Sequence, residues 1–318
     1  MDSLQVVSYE EGRGRAWDEF VGRSKNGVFL FTRGYMDYHA DRFPDGSLMF
    51  YDGRGQLVAL LPATARGDAL VSHAGLTFGG VVTDAGMKVG TMLELFAALE
   101  AHLRGLGLRR LVYKAVPHIY HRAPAEEDLY ALFRSGARLT RRDVSVAIDM
   151  RERLPFAKGR KWALKQAEKA GLEVARSHDF AEFMAIEEHL LGEKYGARPV
   201  HSAAEIELLA GRFPDNIKLF AARRGGEMLA GVVVYESAQV AHAQYIGANE
   251  EGRKVCALDL IMGHLINDYY ASKRYFDFGI STEDEGRRLN AGLVENKQGY
   301  GARAVVYDFY QLELGTDG

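Results

Sequence analysis

The sequence predicts a mixed α/β protein in which one structural unit occurs twice. Three observations carry that expectation. A glycine-turned hairpin recurs 171 residues downstream, the same order of helix and strand follows each copy, and a Gly-Ala-Arg tripeptide recurs 165 residues downstream.

The first hairpin joins residues 48–51 to 56–61 through Asp52-Gly53-Arg54-Gly55, and an Asp-Gly pair suits a turn whose central positions want positive φ. Its counterpart joins 218–222 to 227–234 through Arg224-Gly225-Gly226. A long helix is expected after each, over 87–106 and 255–271; in the second, Leu258, Ile261, Leu265 and Tyr269 share one face. Cys256 on that helix reads as buried packing rather than as a thiol nucleophile. Strands follow at 109–113 and 274–278, then a loop and a helix. Gly136-Ala137-Arg138 and Gly301-Ala302-Arg303 open the closing strands, which end at 145–148 and 307–312. Hairpins demand antiparallel neighbours and helical crossovers demand parallel ones, so each half is expected to hold a mixed sheet. The halves divide as residues 1–152 and 153–318.

Composition agrees with two folded domains. The chain has 318 residues, a net charge of -3, 47% hydrophobic and 26% charged residues. Those values exclude wholesale disorder and collagen-like structure. Cys256 is the single cysteine, which excludes an internal disulfide and a multi-cysteine zinc or iron–sulfur site. No metal site is expected: His118 and His121 have a His-x-x-His spacing but no assignable third ligand. The N-terminus lacks a basic stretch followed by an apolar one, and the longest apolar run, 228–235, is too short to span a bilayer. A cytoplasmic protein without a membrane span is the expectation.

Three stretches carry a family resemblance. Residues 158–174 form a basic segment expected to run from helix to strand, 276–281 read Phe-Asp-Phe-Gly-Ile-Ser, and 289–303 run from Leu-Asn-Ala-Gly-Leu to Lys-Gln-Gly-Tyr-Gly-Ala-Arg. With the repeated element order, they resemble the FemAB-like acyltransferases of the GNAT superfamily, which are related to the Fem peptidyltransferases. The resemblance covers essentially the whole chain. It implies two tandem GNAT-like domains, with the likely donor site in the C-terminal one.

GNAT enzymes hold acyl-CoA on a glycine-bearing loop opening the long helix, where backbone N–H groups grip the pyrophosphate. The matching stretch is 247–255. Gly252 fits the pattern, whereas Asn249 and Lys254 depart from it. Gly252, Arg253 and Lys254 are the candidate donor-binding residues, the two cations by pairing with phosphates. The same stretch also suits a solvated helix start. Fem enzymes instead take an aminoacyl group from charged tRNA. Between Arg151 and Lys169 seven cations stand against two acids, enough to contact phosphates or simply to face water.

Acyl transfer to an amine needs a base, oxyanion stabilisation and protonation of the leaving group. Glu283 is the candidate base or acceptor-orienting carboxylate, although residues 281–285 also suit the cap of a following helix. Tyr245 is the candidate hydroxyl donor, or a core tyrosine. Asn290 and Lys297, seven apart and with Glu283 seven before Asn290, would form one polar row if the segment were helical. They are candidate acceptor-binding residues, with His118, Tyr120 and His121 in the first half and His201 before a Ser202 cap. The leading function is N-acyl transfer from an acyl-CoA-type thioester to an amine of an amino sugar, amino acid or peptide-like molecule. The alternatives are aminoacyl-tRNA-dependent peptide bond formation, with tRNA as partner, and a non-catalytic ligand-binding module.

Overall fold

The structure is a computed structural model and describes residues 4–196 and 198–315. Met1 to Ser3, part of the N-terminus read for a targeting segment, lie outside that range. Two compact units emerge. Unit 1 holds the chain to Val144 together with Thr282–Arg288 and the stretch from Val306; unit 2 holds Ser145–Ser281 and Leu289–Val305. These contact units and the two sequence repeats are different divisions of the chain. The closing strand of each repeat is the reason: residues 145–149 pair within unit 2, and residues 309–313 pair within unit 1.

Unit 1 begins β1 (Gln5–Ser8), α1 (Gly14–Arg23), α2 (Arg33–Met36), and then the expected hairpin, β2 (Leu48–Tyr51) and β3 (Leu57–Leu61). Next come β4 (Thr64–Arg66), β5 (Ala69–Val71), β6 (Val82–Thr83) and the expected long helix α3 (Val89–Gly105). β7 (Arg110–Lys114), α4 (Glu127–Arg134) and β8 (Arg138–Asp149) close the first repeat. One sheet has the order β1-β2-β3-β6. In the other, β4 pairs with β5, β5 runs parallel to β7, and β7 pairs antiparallel with the chain's last strand. Leu95, Phe96 and Leu99 of α3 are buried against Phe50, Leu61 and Leu111, which is why the apolar face of that helix is legible as a period.

Unit 2 contains α5 (Lys158–Lys169), β9 (Glu173–Ser177), α6 (Phe180–Tyr195) and α7 (Ala203–Arg212). The second hairpin follows, β10 (Ile217–Arg224) and β11 (Glu227–Glu236), and then β12 (Val240–Ala248), α8 (Glu250–Lys254) and α9 (Ala257–His264). β13 (Tyr275–Ile280), a ribbon of β14 (Thr282–Glu283) and β15 (Arg288–Leu289), α10 (Ala291–Gln298) and β16 (Arg303–Glu313) complete the chain. Its strands run β8-β13-β12-β11-β10-β9, parallel only between β12 and β13. Gly136 (φ +76°) and Gly301 (φ +89°) turn into β8 and β16. A Cβ on Gly301 would stand 2.4 Å from the Leu154 carbonyl oxygen, so the repeated tripeptide marks a turn that glycine alone fits.

The second long helix is not continuous, contrary to the expectation over 255–271. Cys256 sits between α8 and α9 with φ +56°, and residues 265–269 form a π-turn after α9. Each i→i+5 bond inserts a residue and rotates the helical phase. Tyr269, expected on the buried face, is therefore 43% exposed, and Tyr270 is buried in its place. Cys256 is half-buried rather than core.

Candidate active site

The central feature of unit 2 is an opening between two parallel strands. β12 and β13 pair over three rungs, Val240–Tyr275, Ala241–Phe276 and His242–Asp277. Beyond them β12 continues to Ala248 and β13 turns at Gly279, whose φ is +74°. Ile246, Ala248 and Phe278 line a cavity of about 420 Å³ there, with Leu258 and Met262 of α9. Arg160 of α5, Arg253 of α8 and Lys297 of α10 reach the same cavity, against one acid, Asp259.

The cations are held in place. Arg160 donates to Asp259 Oδ1 at 2.9 Å and lies over the Tyr300 ring, whose hydroxyl donates to the same oxygen at 2.9 Å. Lys297 Nζ donates at 2.9 Å to the Gly279 and Ile280 carbonyl oxygens and to Ser281 Oγ. Burial lowers the Lys297 amine to about 8. Arg253 donates to the Ala248 carbonyl at 3.1 Å. An apolar wall with three cations suits an amphiphilic ligand bearing negative charge, such as the phosphates and acyl arm of a CoA thioester.

Two of the three expected donor-binding residues meet at this cavity. Gly252 has a local reason to be glycine: a Cβ there would stand 2.1 Å from the Leu229 carbonyl oxygen. Its N–H is bonded to Asn249 Oδ1, which caps α8, so Asn249 serves as an N-cap where the family pattern has another residue. Lys254 points away, exposed and paired with Glu250 at 2.8 Å. Lys297 joins this cavity too. Asn290 caps α10 through the Leu293 N–H, and no helix runs from Glu283 to Asn290, so the expected polar row does not form. Residues 281–285 do not cap a helix either: Glu283 lies on the β14 ribbon, in unit 1, paired with Arg288.

The opposite face of β12 carries a second polar group. Gln244 is an extra residue in a bulge, since Val233 faces Tyr245 and Val234 faces Ala243. The bulge turns Tyr245 and Gly247 toward α6 and α7, and leaves Ile246 and Ala248 toward α9. Tyr245, 8% exposed, bonds His201 Nδ1 at 2.6 Å. Gly247 leaves room for Glu187, since a Cβ would stand 2.5 Å from Glu187 Oε1. Burial raises the Glu187 carboxyl to about 7. Tyr245 and His201 thus lie together, on the side of the strand away from the cavity.

The first-half candidates occupy a turn of unit 1. His118 is exposed. Tyr120 is buried with its hydroxyl 3.2 Å from that of Tyr307. His121 Nε2 is 3.1 Å from the Val116 carbonyl oxygen, and burial lowers its imidazole to about 4. Sequence reasoning passed over Arg160, Asp259 and Glu187 as site residues, and also His242 and Asp277. Arg160 left a signal as one of a cluster of cations, and Asp277 as part of the Phe-Asp-Phe-Gly-Ile-Ser stretch that carries the family resemblance. No group of three or more His, Cys, Asp or Glu able to hold a metal occurs among the described residues, and no helix among them is long and apolar enough to cross a membrane.

A mixed sheet whose one parallel pair opens over a cavity at the start of a helix is the arrangement of a GNAT-like fold. Residues 156–286 match the family model described as an acetyltransferase (GNAT) domain, a match that supports acyl transfer as the chemistry of that stretch. Among solved structures it is similar to FemX, with 12% identity, a TM-score of 0.65 and 96% of each chain covered. It is also similar to the C-terminal domain of a protein described as a lysylphosphatidylglycerol synthetase from Agrobacterium fabrum, with 11% identity and a TM-score of 0.60 over 95% of this chain and 92% of that one. A third is a tandem GNAT protein from the clavulanic acid biosynthesis pathway, at 13% identity and a TM-score of 0.52 over 99% and 100% of the chains. At such identities these likenesses show the fold, two GNAT units in tandem. A search of curated proteins by sequence gives no match.

Proposed function

We propose that the protein is an N-acyltransferase that moves an acyl group from an acyl-CoA-type thioester to the amine of an amino sugar, amino acid or peptide-like acceptor. The observation that carries this reading is the unit 2 cavity, an apolar wall beside Arg160, Arg253 and Lys297 where β12 and β13 part. In this reading the arginines pair with donor phosphates and the apolar wall takes the acyl arm. The Lys297 ammonium lends positive potential where the thioester carbonyl gains negative charge. Tyr245 and Glu283 remain the residues put forward for proton transfer and acceptor orientation, and a cytoplasmic setting belongs to the same proposal.

The test is thiol release from acetyl-CoA and longer acyl-CoAs with a panel of primary amines, followed by mass analysis of the products. An amide heavier by the acyl group supports the reading; no product with any donor and amine overturns it. One observation favours aminoacyl-tRNA as the donor instead: Lys158, Lys161, Lys165 and Lys169 of α5 are exposed, beside a Trp162 that is 62% exposed. Salt-sensitive tRNA binding without any response to CoA would select that donor.

A further inference from the structure

The last paired rung before β12 and β13 part joins His242 to Asp277. Their neighbours Ala241, Ala243, Phe276 and Phe278 belong to the core against α9, so alternation along the strands sends His242 and Asp277 to the other face. Asp277 is fully buried, and its carboxylate is occupied in an orienting role. Oδ1 accepts from Ser145 Oγ at 2.6 Å and from the Gly279 N–H at 3.2 Å, and Oδ2 stands 2.7 Å from His242 Nδ1. The carboxylate thereby fixes the tautomer with the proton on Nδ1, leaving Nε2 as a lone-pair acceptor. Nε2 has no protein partner among the described residues, and the His242 side chain is 14% exposed. Gly279 keeps space beside the ring, since a Cβ there would stand 3.2 Å from His242 Cε1.

We infer that His242 is the general base that takes the proton from the acceptor ammonium, and that Asp277 and Ser145 are its positioning residues. The inference rests on the acyl-transfer reading and adds the group that activates its nucleophile. His242 stands on the final rung, at the edge of the opening whose other side is the cavity. Nε2 takes one proton from the ammonium, and the freed nitrogen pair forms a C–N bond to the thioester carbonyl carbon. The C–S bond breaks with its electron pair on sulfur. The thiolate takes the second proton that nitrogen loses, and the imidazolium returns its proton to water. Asp277 stabilises the imidazolium without itself being protonated.

The experiment compares His242→Gln and Asp277→Asn with wild type, using acetyl-CoA and whichever amine the wild type acylates. Both variants are expected to lose about 100-fold or more in kcat, with the acetyl-CoA-induced rise in Tm retained. Imidazole is expected to restore at least tenfold to His242→Ala. Asp277→Asn keeps the buried volume, but its amide donates to Nδ1 and forces the proton onto Nε2. Turnover within threefold of wild type in His242→Gln overturns the inference, as does failure of imidazole to restore a folded His242→Ala. A wild type with no thiol release from any acyl-CoA overturns the acyl-transfer reading separately. The ring tautomer then decides the inference by 15N resonances of labelled imidazole: an unprotonated Nε2 at neutral pH supports it, and an Nε2–H overturns it.

Discussion

The ammonium of Lys297 stands 2.9 Å from the carbonyl oxygen of Gly279, and so ties α10 to the turn by which β13 leaves β12. It satisfies two backbone carbonyls and a buried hydroxyl at once. Lys297→Met leaves those acceptors unmet, and a buried acceptor without a donor costs about 1–3 kcal/mol. The variant should melt several degrees lower and lose most of its affinity for a CoA thioester. A melting temperature equal to wild type would show that water replaces the ammonium without loss.

Arg253 and Lys254 are adjacent in sequence but face different surroundings. Arg253 lines the cavity, and Lys254 pairs with Glu250 at the surface. A charge-assisted hydrogen bond to a phosphate contributes about 1.5–3 kcal/mol. Arg253→Ala should therefore weaken acetyl-CoA binding about tenfold or more in a calorimetric titration, and Lys254→Ala less than about twofold. Equal losses in the two variants would contradict the placement of Arg253.

The Glu187 carboxyl gives a pH signature. Burial raises it to about 7, above the roughly 4.3 of an exposed glutamate. Between those values the folded chain binds more protons than the unfolded one, so this group lowers stability as pH rises from about 4.3 to 7. Glu187→Gln removes that slope. The variant should gain about 1–3 kcal/mol relative to wild type between pH 4.5 and 8, measured by urea unfolding. A difference independent of pH would show that the carboxyl ionises normally.

Gly252 is fixed by packing as well as by its place in the lining of the unit 2 cavity. Gly252→Ala places a Cβ 2.1 Å from the Leu229 carbonyl oxygen, a backbone atom of β11 that cannot swing aside. The expected cost is about 2 kcal/mol or more, with a lowered Tm in the absence of any ligand. If stability held and only donor affinity fell, the glycine would serve the ligand alone.

Local signals made much of the fold legible. The Gly225-Gly226 turn and the positive φ of Gly136 and Gly301 answer to local glycines, as does the first hairpin turn, although its positive φ falls at Gly55 and not at Asp52-Gly53. The apolar period of α3 is likewise written in its own sequence. What stayed hidden depends on pairing across long separations. The closing strand of the first repeat pairs with β13 of the second through residues 145–149, and no periodicity announces that. His242 and Asp277 lie 35 residues apart, joined by one rung of a parallel pair. The bulge at Gln244 separates Tyr245 from the cavity that its neighbour Ile246 lines. Arg253 belongs to the loop that the resemblance places at the long helix, whereas Lys297 is singled out by a spacing whose polar row does not form; both line the cavity. Arg160 was hidden among exposed lysines, although its guanidinium turns inward to Asp259.

The central claim is that the unit 2 cavity binds an acyl-CoA-type donor through its cations. Calorimetric titration of acetyl-CoA into wild type and Arg253→Glu tests it most directly. The account predicts saturable binding to wild type that the reversed charge abolishes in a variant that still folds. No binding to wild type at millimolar acetyl-CoA, or equal binding to both proteins, would contradict it.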